Sequence, residues 1–374
     1  MKHLFTILAA LALLSACCQT QQTKIPENKK AIMDAFVAGT LDPSYVPAAF
    51  FAHFPGPKVG EGAVRSHLDF YLKGNADILK VQFEQFVPRI AEPEKEETWA
   101  AIGSPAESWS TVTGNAETTE PGGTVTAEPG SACSSPIPED FYRPTLELVC
   151  GIQAIAGQDV YVLPTIYSPY QVALQALGES GIREAATNHP DGFKRLLDCY
   201  AASLQWLVRE CVAVGIEGFY MTCQGGEMKY YDIPDFYGRF VRPSDLSVMN
   251  CCEELAHMNI LHICDWEGVY DDLTRYADYP GQIVNTPIDL NGTRFTLDDG
   301  VALFGGRPVL GGLERKGIIL SGSAADVAAA ASRAIADGPR GKMMLGAECT
   351  VSDAPMANIH AAILTAHRGG EVME

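Results

Sequence analysis

The feature that most constrains this chain is an alternation. Short runs rich in β-branched and aromatic residues occur at 48–54, 77–83, 159–167, 216–223, 259–265, 282–288, 308–314 and 343–349. Between them, apolar residues recur every three or four positions. In 191–215, Phe193, Leu196, Leu197, Tyr200, Leu204, Leu207, Val208, Cys211 and Val212 fall on one helical stripe. In 325–337, Val327, Ala330, Ala331, Ala334 and Ile335 do the same, and Gly338-Pro339 stops the helix. A parallel strand pair needs a crossover long enough to hold a helix, so this repetition predicts βα units around a parallel sheet.

Ahead of the alternation stands a segment of another kind. Met1-Lys2-His3 is a short basic start, and residues 4–14 form an apolar run. A bilayer span needs about 20 residues, so the run suits the core of a signal peptide instead. It closes on Leu14-Ser15-Ala16-Cys17, a string that resembles the bacterial lipobox. We therefore expect residues 1–16 to be a lipoprotein signal peptide, Cys17 to carry the lipid, and the polar residues 17–30 to be a tether. An ordinary secretory signal or an apolar N-terminal helix are the competing assignments. The expected location is the cell envelope, with membrane contact only through the lipid; a downstream start codon would make the protein cytoplasmic.

Lys and Arg total 27 against 46 Asp and Glu, a net charge of −19. Such a surface repels phosphate backbones, which excludes nucleic acid as an expected partner. Residues 104–136 are dense in Thr, Ser, Gly, Pro and Glu and poor in large aliphatics, so an exposed insertion is expected within the folded region 31–374. Of the 11 cysteines, Cys133 and Cys150 border that insertion and are candidates for a disulfide. The adjacent Cys251 and Cys252 cannot pair with each other without strain. Asn291-Gly292-Thr293 matches a glycosylation sequon, and Asp298-Asp299-Gly300 reads as a turn.

Chemistry in a parallel barrel gathers at the C-terminal strand ends. There stand His53, Lys80, Glu84, Tyr167, Cys223, Asn285, Asp289 and Glu314. Cys223 opens Cys223-Gln224-Gly225-Gly226-Glu227, whose glycines would let a ligand approach the backbone or simply make a turn. His262-Ile263-Cys264 differs from the rest, because strand side chains alternate and both metal-capable groups then share one face. Cys349 ends the last run and would complete a set of three soft ligands with an open fourth position, the arrangement of a catalytic zinc. A thiol at that position would be held as thiolate, ready to attack an electrophilic methyl group. By spacing alone, two core cysteines and a hydrogen-bonded histidine explain the same residues.

From about Asn28 onward the chain resembles the uroporphyrinogen decarboxylase superfamily. The resemblance is carried by Phe50-Phe51-Ala52-His53-Phe54-Pro55, Gly74-Asn75-Ala76-Asp77-Ile78-Leu79-Lys80 and Tyr167-Ser168-Pro169-Tyr170. It continues in Leu261-His262-Ile263-Cys264, Gly311-Gly312-Leu313-Glu314, and Cys349-Thr350-Val351 with Pro355 and Asn358. Counted with this resemblance in view, the strands number eight and the expected fold is α/β, a (β/α)8 TIM barrel. The superfamily's coenzyme M and corrinoid methyltransferases bind zinc through a His-x-Cys pair and a later Cys, positions that His262, Cys264 and Cys349 occupy. The resemblance thus implies zinc, a small-molecule thiol acceptor, a methyl-corrinoid donor and a corrinoid protein as partner. Glu84 and Glu348 would act as acid, base or fourth ligand, and His53, Lys80, Tyr167, Cys223 and Asn285 would bind substrate.

The decarboxylase branch fits less well. It holds propionates with an Arg-rich loop after the first strand, where residues 55–61 here offer one Lys and no Arg. Its aspartate follows the second strand, where this chain has Glu84, while Asp77 starts the strand and faces the wrong end. A decarboxylase of a carboxylated tetrapyrrole would need Arg239, Arg242, Arg294 or Arg315 at the barrel mouth. The remaining alternative is a lipid-anchored barrel that captures a corrinoid or tetrapyrrole without catalysis.

Overall fold

The computed structural model describes residues 28–102, 137, 139–266 and 268–372. The expected signal peptide, Cys17, most of the tether and the insertion at 104–136 lie outside them. Lys29 and Lys30, counted above with the tether, open a helix, Lys29–Val37, capped by the Asn28 side chain.

Seven strands form one sheet: β1 (Ile78–Val81), β2 (Tyr161–Tyr167), β3 (Tyr220–Cys223), β4 (Ile260–Ile263), β5 (Ile283–Asn285), β8 (Val309–Leu313) and β9 (Met343–Ala347). β6 (Asp289–Leu290) and β7 (Thr293–Arg294) make a separate hairpin. The seven lie side by side in chain order, each pair parallel. The run at 48–54 does not form a strand. It contributes one parallel bridge, Ala48 to Leu345, with Ala49 N–H donating to Leu345 O at 2.9 Å and Leu345 N–H to Pro47 O at 2.7 Å. On the other side Asp77 N–H donates to Ala48 O at 2.9 Å, so this segment touches both β9 and the entry to β1. Pro47 has no N–H to extend the ladder.

Register sets the faces. Tyr167, Thr222, His262, Asn285, Leu310 and Met344 follow one another across β2, β3, β4, β5, β8 and β9 as pairing partners, so all point the same way. Tyr220, two residues before Thr222, reaches across from β3 to donate its hydroxyl to Asn285 on β5 at 2.9 Å, which marks that face as the interior of the curl. The opposite face, with Leu261 and Ile263, packs against helices. Pro190–Ala213 carries the stripe expected for it, with Phe193, Leu196, Leu197, Tyr200, Leu204, Leu207, Val208 and Cys211 buried. Ala324–Asp337 starts at a Ser323–Asp326 capping box and stops at Gly338. Among the described residues no helix is long and apolar enough to cross a membrane.

Some local expectations change. Asn291 and Gly292, with φ of 50° and 84°, form the tight turn of the β6–β7 hairpin, a two-residue connection that favours Asn-Gly. Asp298 and Asp299 lie in the first turn of a helix, Leu297–Leu303, because Thr296 and Asp299 cap it reciprocally. Cys150 is a free thiol, so it is not bridged to Cys133, which lies outside the described residues.

The N-terminal end of the sheet is pinned by one buried carboxylate. Asp77 Oδ1 accepts from Lys29 Nζ at 2.7 Å and the Tyr45 hydroxyl at 2.6 Å. Its Oδ2 accepts from Ala48 N–H at 2.7 Å and His367 Nε2 at 2.9 Å. Four segments distant in sequence meet there, remote from the C-terminal strand ends.

Candidate metal centre

His262 is the third residue of β4 and projects inward; Cys264 follows that strand and Cys349 follows β9. Their ligand atoms, one from each residue, all lie within 4.8 Å of one another, and all three side chains are buried. Cys264 is set by its own backbone, donating N–H to Cys223 O at 3.0 Å and accepting at its carbonyl from the Tyr270 hydroxyl at 3.0 Å. The two thiols are electrostatically unequal. The Cys264 S–H beside it, and then His262, hold Cys349 well below the ordinary thiol value against the cost of burial. Sharing that proton with Cys349, and burial, push Cys264 well above it. His262 Nδ1 is buried without a hydrogen-bond partner. An orphaned imidazole nitrogen and a polarised thiol pair are costly as plain core, whereas a soft divalent ion would satisfy all three groups. The residues therefore fit zinc.

Lys80 lies on the floor of the same interior. It pairs with Leu163 in register, and its ammonium stands 4.3 Å from the Tyr220 ring centroid and 5.2 Å from that of Phe51. It donates to Gln82 Oε1 at 2.6 Å, and Gln82 in turn donates to the Tyr167 hydroxyl at 2.9 Å. Burial lowers the Lys80 ammonium to about 8, against the opposing pull of Cys349, Cys264 and Glu84. Burial likewise raises Tyr167, keeping it a neutral phenol.

Beside the triad lies a charged cluster in which Glu348 and Arg315, named separately from the sequence, meet each other and Asp265, which the sequence reading missed. Glu348 accepts Arg315 N–H at 2.8 and 3.1 Å, and the Arg315 guanidinium lies 3.4 Å from Glu348 and 3.8 Å from Asp265. That guanidinium also covers the exposed ring of Trp266, 4.7 Å from its centroid. Burial pushes Glu348 up to about 7 and raises Asp265 as well. For Asp265 the one signal available was its position next to Cys264.

Glu84 and His53 meet at the rim, where His53 Nδ1 is 3.0 Å from Glu84 Oε1 and Phe54 N–H donates to it at 3.2 Å. Burial favours a protonated Glu84, but His53 and then Lys58 outweigh it and hold the carboxyl low. The other expected site residues are placed differently. Cys223 pairs in register with Ile263, hence faces the helices, and its thiol donates to His262 O at 3.6 Å. Asn285 does face inward, but its amide is spent on Leu310 O and Ala347 O and its oxygen on Tyr220. Gly225 and Gly226 are closed by protein: a Cβ there would meet Val241 at 2.7 Å and the Tyr276 hydroxyl at 2.5 Å. Asp289 and Glu314 are exposed, the first capping the hairpin turn and the second facing Arg294. Of the four arginines considered for carboxylate binding, Arg239 and Arg294 are exposed and Arg242 is tied to Asp278 at the surface. Arg315 alone of those four stands by the triad, engaged by two acids.

No protein-family profile matches this chain, and no curated protein matches it by sequence. Solved structures do match in fold. One is a methyltransferase from Methanosarcina mazei, with a TM-score of 0.63 at 15% identity over 91% of this chain and 98% of that one. Another is a B12-independent methionine synthase from a Shewanella species in complex with selenomethionine, with a TM-score of 0.53 at 11% identity over 87% and 97% of the two chains.

Proposed function

We propose that this protein is a zinc-dependent methyltransferase that activates a thiol acceptor, built on a barrel closed by the segment around Ala48. The observation that carries it is the meeting of His262, Cys264 and Cys349 in one buried cluster whose imidazole nitrogen has no other partner. Two chains that share the fold are, by their own descriptions, a methyltransferase and a methionine synthase. Zinc held by those three residues would supply Lewis acidity that keeps an acceptor thiol ionised at neutral pH.

The chain's own groups complete the task. Cys349, already biased toward thiolate, and Cys264 provide the two anionic ligands, and His262 the neutral one. Burial of all three excludes bulk water from the reacting sulfur, which strengthens every charge interaction there. Glu348, fixed by the Arg315 N–H, and Asp265 stand beside the triad as groups able to take the proton that the acceptor loses. Exposed Trp266, in the loop after β4 and next to the Arg315 guanidinium, offers an apolar ring at the triad for a broad donor such as a methyl-corrinoid.

The test is metal content by mass spectrometry beside a Cys349→Ala variant. About one zinc per chain in the parent and none in the variant is expected for a three-ligand site. Equal metal in both, or none in the parent, refutes the assignment. We also place the enzyme on the cell envelope, on the strength of Leu14-Ser15-Ala16-Cys17 alone; recovery of the native protein from the soluble fraction refutes that part.

A further inference from the structure

We infer that Lys80 makes the triad selective for anionic over neutral ligands, a role that rests on the metal assignment above. A divalent ion, two thiolates and a neutral imidazole sum to no net charge. An anionic ligand joining them leaves one negative charge in a buried interior, where an unpaired charge is costly. A neutral ligand leaves none. Whatever fixed cation lies near the triad therefore discriminates between the two.

Lys80 is that cation. Its strand position turns it into the interior, and its ammonium rests against the Tyr220 ring, 4.3 Å from the centroid. The Tyr220 ring in turn lies 5.2 Å from that of His262. Its polar partner is Gln82 Oε1, a neutral atom at 2.6 Å, so the positive charge is not consumed by a direct ion pair among the described residues. The charged groups whose fields reach it are Cys349, Cys264 and Glu84, with His67 behind Gln82. Two of these are the triad's own thiols. Arg315 is the other cation nearby, but Glu348 and Asp265 already engage it.

The test uses the full chain loaded with cobalt(II), whose visible spectrum reports ligand binding without any turnover. Azide serves as the anionic probe and imidazole as the neutral one. In Lys80→Met, azide should bind about tenfold more weakly or worse, as loss of one nearby buried charge implies, while imidazole affinity stays within about twofold. Lys80→Arg should keep the parent's ratio of the two affinities. An unchanged ratio in Lys80→Met, or a tenfold loss of the ratio in Lys80→Arg, overturns the inference while leaving the metal site standing. If the parent itself takes up no cobalt, the metal assignment falls and this inference with it. Should Lys80→Met fail to fold, Lys80→Gln, which also removes the charge, is read by the same criterion.

Discussion

Replacing Asp77 with Asn keeps the shape of the side chain and removes its charge, at a point where four donors converge. Asn can still accept from Lys29 and Tyr45 through its oxygen, but its amide then faces the Ala48 N–H, which loses its acceptor. The Lys29 ammonium is left buried without a counter-charge. Breaking one member of a buried pair costs about 3–5 kcal/mol, most of it from the stranded partner. With a urea dependence of about 3 kcal/mol per molar for a chain of this size, the unfolding midpoint should drop by about 1–1.7 M at pH 7. The pH dependence has a definite sign. Burial alone would raise Asp77, but His367 and Lys29 outweigh it and hold the folded carboxyl below its ordinary value. Its contribution is therefore complete above the unfolded value of about 3.9 and is lost as pH falls through the lower folded one. The gap between parent and Asp77→Asn should close in strong acid, as pH falls through the folded carboxyl's value. A midpoint shift below about 0.3 M at pH 7 would show that this carboxylate is not the anchor argued for here.

Two further outcomes follow from the same structure. Glu348 is pushed up to about 7 by burial, so the folded state keeps a proton that the unfolded chain gives up near its ordinary value. Metal-free parent should lose stability relative to Glu348→Gln as pH rises from about 4 to about 7; parallel urea midpoints across that window refute it. Gly218 has room for no side chain, since a Cβ would stand 2.0 Å from Met258 O and 2.7 Å from Leu163 Cδ2. Gly218→Ala should cost more than about 3 kcal/mol, while Gly39→Ala, strained only by its φ of +70°, should cost about 1, and similar urea midpoints for the two would contradict that.

The pattern of local sequence was enough for a good part of this. Period two along 259–265 puts His262 and Cys264 on one face from backbone geometry alone, and period 3.6 places the stripe of Pro190–Ala213 correctly. The position of Asp77 at a strand's start also told that it points away from the mouth, and it is found at the opposite end. What local pattern could not supply was register and long-range charge. Cys223 ends its strand as a mouth residue would, yet pairing with Ile263 instead of His262 turns it outward, and one residue of register decides that. The run at 48–54 has the composition of a strand, but whether such a run becomes a ladder or a single bridge depends on the two neighbours it meets. Arg315, Glu348 and Asp265 lie far apart along the chain, and nothing periodic links them. The sequence by itself determined which residues can share a face, because that follows from backbone geometry within one element. Only the tertiary structure decided which faces meet, because burial and the pairing of charges are properties of segments brought together from a distance.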